Sequence, residues 1–113
     1  MKLNEIVEQL ELTILTEDQA LNKTISRGYA SDLMSDVIAH AMPGDIWVTM
    51  QVHMNVVAIA SMKEIGAVVL SHDRKPLPET LKKAESEGIT VLGSSLPAFE
   101  LVGRLYKLGI PGQ

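Results

Sequence analysis

No cysteine occurs in the 113 residues. That absence excludes disulfide frameworks, thiolate zinc sites and thiol nucleophiles together, and it fits a reducing cytosol. Aromatic residues are scarce, with only Trp47, Phe99, Tyr29 and Tyr106. The core must then be aliphatic, with six methionines as gap filler. Long apolar runs are missing too. The longest, residues 56–60, is far too short to cross a bilayer, and residues 1–10, with Glu5 and Glu8, have the pattern of neither a signal peptide nor a membrane anchor. Positive charge is neither in excess nor clustered: the formal net charge is -4 and residues such as Arg27, Arg74 and Lys83 are scattered, which disfavours nucleic acid as a partner. What is present is a 46% hydrophobic content, enough for one real core, so residues 1–113 are expected to form one soluble, cytoplasmic domain with no membrane partner.

Catalytic and cofactor signatures are also absent. There is no GxxxxGK[ST], no GxGxxG, no HxxxH and no HExxH. Three histidines without paired spacing hold no metal, and Gly93-Ser94-Ser95 lacks the GxSxG form of a nucleophile elbow. Neither a metal nor a cofactor is implied, and no catalytic residue is assigned.

Periodicity then gives the elements. Leu3, Ile6, Val7 and Leu10 recur at helical spacing. Residues 12–16 read as a strand, 17–19 as a turn, and 24–30 as a second strand in which Gly28 marks a bulge or a close backbone approach. A helix capped by Ser31 or Asp32 runs to Pro43-Gly44. Residues 46–50 form a third strand, 67–70 a continuous apolar fourth of the kind found inside parallel sheets, and 89–92 a fifth. Pro78 starts and Gly88 ends the helix between the last two, and Ser94 or Ser95 caps a final helix carrying Leu96, Phe99, Val102, Leu105 and Tyr106. The tail from Lys107 is expected to fray. The β-α-β-α-β-α order from Asp45 onward predicts a three-layer α/β/α fold around a largely parallel or mixed sheet of about five short strands.

The most informative stretch is 45–61, DIWVTMQVHMNVVAIAS, where a buried strand passes into a nearly all-apolar helix. Thr49, Gln51, His53 and Asn55 stand at the switch. In parallel sheets ligands bind beyond the carboxyl ends of the strands. With Ser31, Asp32, Ser71 and Ser94 after the neighbouring strands, these residues form the candidate ligand-binding edge. The bland alternative is that the same residue types satisfy caps and turns. A small hydrolase or transferase would need His53 within hydrogen-bond reach of Asp32. In the apolar half, Val56, Val57, Ile59 and Ala60 are expected at a homodimer interface, because a short chain struggles to cover a helix that is apolar all round.

Three further patterns carry a resemblance: GYASDLMSDV from Gly28, GDIWVTMQVHMN from Gly44, and SLPAFELVGRLYKLG from Ser95. Together they resemble the DRTGG domain, a module similar to the N-terminal domain of HPr kinase/phosphorylase. The chain departs from the residues that name the family, with Asn22, Lys23, Ser26 and Arg27 where Asp, Arg, Thr and Gly are expected. The resemblance implies a three-layer α/β fold and a regulatory role without catalysis, as in accessory domains beside CBS pairs in pyrophosphatases or attached to phosphotransacetylases. By that association the expected partners are a small-molecule nucleotide, an adenine nucleotide first, a metabolic enzyme and a second copy of the chain. A pure protein-interaction module without a small ligand is the alternative, and it predicts an occluded strand-end edge.

Overall fold

The computed structural model describes residues 1–17 and 20–113. Its elements are α1 (Leu3–Leu10), β1 (Thr13–Ile14), β2 (Arg27–Ala30), α2 (Met34–His40), β3 (Asp45–Thr49), α3 (Asn55–Met62), β4 (Ala67–Leu70), α4 (Pro78–Glu87), β5 (Val91–Gly93) and α5 (Ala98–Lys107). The strands form one sheet in the order β1-β5-β4-β3-β2. Neighbours from β2 to β5 run parallel, while β1 lies antiparallel against β5. The sheet is mixed, as expected. Part of the turn read at 17–19, namely Asp18 and Gln19, lies outside the described residues.

Alternation along the central strands builds two cores, because successive side chains point to opposite faces. Trp47, Val68, Leu70 and Val91 pack with Val37 of α2 and Ala41 just after it, with α3, and with Ala84 of α4. Ile46, Val48, Ala67, Val69 and Leu92 pack with Leu3 and Ile6 of α1 and with Leu101 and Leu105 of α5. Helices therefore cover both faces of the sheet, which makes the fold a three-layer α/β/α sandwich, and strands buried on both sides explain their near-continuous apolar runs. At the end of α4, Gly88 takes a left-handed φ of 71° and stops the helix, the role its position predicts.

The four residues assigned to a subunit interface need a different account. Val56, Val57, Ile59 and Ala60 are all buried within the single chain, at 2%, 0%, 7% and 0% exposure. They belong to the first core, with α2, α4 and the sheet around them. The premise that a short chain leaves this helix uncovered fails, because α3 is sandwiched rather than peripheral. Only residues such as Ala58, Ser61 and Met62 face outward.

Local expectations shift in three other places. Ser31 and Asp32 do not cap α2, which starts at Met34 after Leu33; the Ser31 hydroxyl instead accepts the Leu33 N–H at 3.1 Å in a tight turn. Neither Ser94 nor Ser95 caps α5, which follows Pro97; Ser94 Oγ accepts the Leu96 N–H at 3.1 Å. The tail does not fray throughout, since Ile110 is buried and the Pro111 carbonyl accepts the Gly28 N–H at 2.8 Å. That contact is the close backbone approach that Gly28 signals, and it covers part of the free edge of β2.

Opposite the strand ends of interest, Arg27 and Asp45 face each other where β2 and β3 begin. Asp45 is fully buried, and the guanidinium meets it with two bonds, Nε to Oδ1 at 2.9 Å and Nη2 to Oδ2 at 3.0 Å. The Met42 N–H adds 2.8 Å to Oδ2, and Arg27 Nη2 also donates to the His40 carbonyl at 2.9 Å. The bond to Asp45 raises the Arg27 pKa further above its ordinary value.

Candidate functional site

Strands β2, β3 and β4 end side by side, with Ala30 in register with Val48 and Thr49 with Leu70. The residues just beyond them meet at one edge of the sheet, and α5 begins there at Ala98. Between them lies an opening of about 200 Å³ lined by Ser31, Asp32, Thr49, Met50, Ser71 and Ala98, together with Ala30 and Val48. Four of the eight predicted ligand-binding residues, Ser31, Asp32, Thr49 and Ser71, are thus brought together.

Asp32 organises this rim. Its Oδ1 accepts from the Thr49 hydroxyl at 2.7 Å and from the Met50 N–H at 2.7 Å. Its backbone carbonyl accepts from the Gln51 side-chain amide at 3.1 Å. The Thr49 hydroxyl in turn accepts the Gln51 N–H at 3.2 Å. Oδ2 of this exposed carboxylate accepts no hydrogen bond from the described residues, so it is available to a donor in the opening. From below, Trp47 Nε1 donates to the Ser31 carbonyl at 2.9 Å and fixes the turn that carries Asp32.

Ser71 differs from every other polar group at the edge. Its side chain is fully buried at 0% exposure, and Oγ has no hydrogen-bond partner among the described residues. The first amides of α5, residues 98–100, likewise find no acceptor among the described residues, and Pro97 provides no side-chain cap. Free amides at a helix start favour negative charge.

The remaining predicted residues fall elsewhere. Gln51 buttresses Asp32 without lining the opening. Ser94 closes the neighbouring turn, where its carbonyl accepts the Asp73 N–H at 2.8 Å. His53 and Asn55 are exposed at the start of α3, outside the opening, and neither side chain makes a hydrogen bond among the described residues. The pairing of His53 with Asp32 that a hydrolase or transferase would need is absent from the described hydrogen bonds, because the chain turns away from the edge before His53. His72 and Asp73 take left-handed φ values of 59° and 57° in the turn after β4. Sequence reasoning did not assign Ala30, Val48, Met50 and Ala98 to the site. Two of these are alanines whose small size leaves the opening clear, and nothing in a sequence distinguishes such an alanine from helix filler.

Beside the opening, the Tyr29 hydroxyl donates to Asp36 Oδ2 at 2.7 Å and His40 Nδ1 lies 3.1 Å from Oδ1. The Tyr29 bond, with lesser help from Ser31 and His40, holds the Asp36 carboxyl below its ordinary 3.8. The same bond raises the Tyr29 hydroxyl above its ordinary 10.0. The lowered carboxyl contributes stability that is complete above 3.8 and is lost as pH falls through its folded value; the raised phenol contributes stability that is complete below 10.0 and is lost as pH rises through its own. The melting-temperature gap between the wild-type chain and Tyr29→Phe is expected to be widest between those limits and to close at both ends. A gap independent of pH would contradict this assignment.

No family model matches the chain, and no curated protein sequence does. Among solved structures, the chain is similar in fold to the CBS and DRTGG domains of the regulatory region of Clostridium perfringens pyrophosphatase, complexed with the activator diadenosine tetraphosphate. The TM-score is 0.71 at 16% identity, over 97% of this chain and 47% of that one. This chain thus spans about half the length of that structure, and at such identity the likeness is one of fold. Among the described residues, no helix is long and apolar enough to cross a membrane.

Proposed function

We propose that this chain is a DRTGG-like regulatory module, without catalysis of its own, that holds one moiety of a small nucleotide-like ligand in the strand-end opening. The observation that carries this reading is Ser71. A buried hydroxyl left without a partner costs about 1–3 kcal/mol, and folded chains seldom leave one so. Here the residue that carries the orphaned hydroxyl lines an opening, beside a carboxylate with a free oxygen and an uncapped helix start. A sugar edge supplies donors to Asp32 and a partner to Ser71, and a phosphate is attracted to the start of α5. The size of the opening argues for one moiety, since pockets that enclose a whole drug-sized molecule measure roughly 300–1,000 Å³.

The fold likeness supports the regulatory reading, as the similar protein's regulatory region is complexed with a dinucleotide activator. By that analogy the ligand signal passes to a partner enzyme. A pure protein-interaction module is less favoured, because it calls for an occluded edge and the edge carries an opening.

Thermal shift with AMP, ATP, inorganic phosphate and ribose tests the proposal. A binder present at one hundred times its Kd stabilises by about 2.7 kcal/mol, so at least one nucleotide is expected to raise the melting temperature by several degrees. Ser71→Ala is expected to melt no lower than the wild-type chain without ligand, since no hydrogen bond is broken, and to lose most of the ligand-induced rise. A ligand-free variant markedly less stable than wild type, or a panel that shifts nothing, would count against the site.

A further inference from the structure

Two cavities adjoin where Ala30 and Val48 line both. One is the strand-end opening. The other, of about 70 Å³, continues from it along α5, between Val102, Leu105 and Tyr106 on the helix and Gly28 and Ala30 on β2, with the tail from Ile110 at its far end. Ala98, Val102 and Leu105 follow one another at spacings of four and three, so a single flank of α5 borders both spaces. From Ala98 to Val102 the helix rises only about 6 Å. The gap between helix and strand persists because of two small residues. A Cβ on Gly28 would lie 3.5 Å from Ile110 and 3.7 Å from Ile46, both in the core beneath α5, and alternation turns Ala30 to the same face. Larger side chains at these two positions would close the cleft.

The wall on the β2 side also carries free polar groups. The Ser31 N–H donates to the Val48 carbonyl at 3.2 Å, toward β3, while the Gly28 N–H donates to the Pro111 carbonyl at 2.8 Å, away from it. The N–H and carbonyl of Ala30 lie on the side of Gly28, and among the described residues neither has a hydrogen-bond partner. An apolar slot with one free donor and one free acceptor at its edge matches a nucleobase, a flat ring whose edge carries donors and acceptors side by side. Resting on the reading of the opening given above, we infer that its ligand is a mononucleotide unit whose base lies in this second cleft, against Val102 and Tyr106, with the base edge on the Ala30 backbone. The sugar and phosphate remain in the opening, beside Asp32, Ser71 and the start of α5. The cleft is far smaller than the roughly 300–1,000 Å³ that encloses a whole small molecule. It grips one face and one edge of the ring, and Tyr106, 69% exposed, leaves the other side to solvent.

Titration calorimetry on the full chain separates the base from the rest of the ligand, with AMP, GMP, CMP and UMP compared against ribose 5-phosphate. At least one mononucleotide is expected to bind the wild-type chain about tenfold or more tightly than ribose 5-phosphate, as a base stacked on an aromatic ring contributes. Tyr106→Ala, at an exposed position outside the opening, should keep the wild-type melting temperature and the affinity for ribose 5-phosphate, while the mononucleotide loses most of its advantage. Ala30→Pro removes the free N–H on the outer side of an edge strand, where proline is tolerated, and should narrow the same gap. Ser71→Ala should weaken all of these compounds. A set of mononucleotides that bind no tighter than ribose 5-phosphate, or an advantage that survives either Tyr106→Ala or Ala30→Pro, would overturn the base cleft and leave the opening standing. Binding of none of the compounds, or binding of ribose 5-phosphate that Ser71→Ala does not weaken, would instead count against the reading of the opening itself.

Discussion

Arg27→Ala is expected to lower folding stability by about 3–5 kcal/mol, since removing one member of a buried ion pair leaves the other charge uncompensated. The partner left behind is Asp45, fully buried, with only the Met42 N–H still donating to it. Arg27 is itself partly exposed at 21%, so the two single substitutions are not equivalent. In Asp45→Ala the guanidinium can turn to water, and the loss should be smaller. Replacing both by apolar residues, Arg27→Met with Asp45→Leu, should recover much of the deficit, because well-packed apolar pairs often match buried ion pairs. Urea unfolding checks all three. If Arg27→Ala unfolds at the wild-type midpoint, the pair is ornamental and the register of β2 on β3 is set by packing alone.

Trp47→Ala is expected to cost a similar amount, about 3–5 kcal/mol, a large share of the roughly 5–15 kcal/mol by which a domain is usually stable. Trp47 is the largest fully buried side chain, and it fills the core between the sheet and the α2–α4 layer. Its indole N–H also holds the Ser31 carbonyl, which makes it the support of the candidate rim. Trp47→Phe separates the two contributions. It keeps much of the volume, so its stability loss should be the smaller one, but it frees the Ser31 turn and should weaken ligand binding out of proportion to its effect on stability. Circular dichroism is the measurement to use for unfolding, because the only tryptophan is removed. Equal losses of binding and stability in Trp47→Phe would show that the indole bond does not support the site.

Much of the architecture was legible because the strands announce themselves. Residues 67–70 form β4 as read, and the β-α-β-α-β-α order from Asp45 onward correctly implied helices on both faces. The α3 segment shows where such reading stops. Its all-round apolarity correctly reports burial on two sides, but periodicity cannot say whether the cover comes from α2 and α4 or from another chain. The candidate edge was legible in the same partial way. Ser31, Asp32, Thr49 and Ser71 follow strand ends and meet there, whereas His53 lies only a few residues further and leaves the edge. Asp32 was read as a helix cap because its carboxylate serves either role; the choice depends on the Met50 amide, 18 residues away in sequence and adjacent only once the sheet forms. The unpartnered Ser71 hydroxyl is invisible in sequence, since being orphaned is a property of the fold.

The central claim is that a ligand occupies the opening between Asp32, Ser71 and the start of α5. Amide chemical shifts of the isotope-labelled chain, followed while AMP is titrated in, test it most directly. The account predicts saturable changes concentrated at residues 30–32, 49–51, 71 and 98–100, and their loss in Ser71→Ala. Shifts that centre elsewhere, or a spectrum that AMP leaves unchanged up to millimolar concentration, would contradict it.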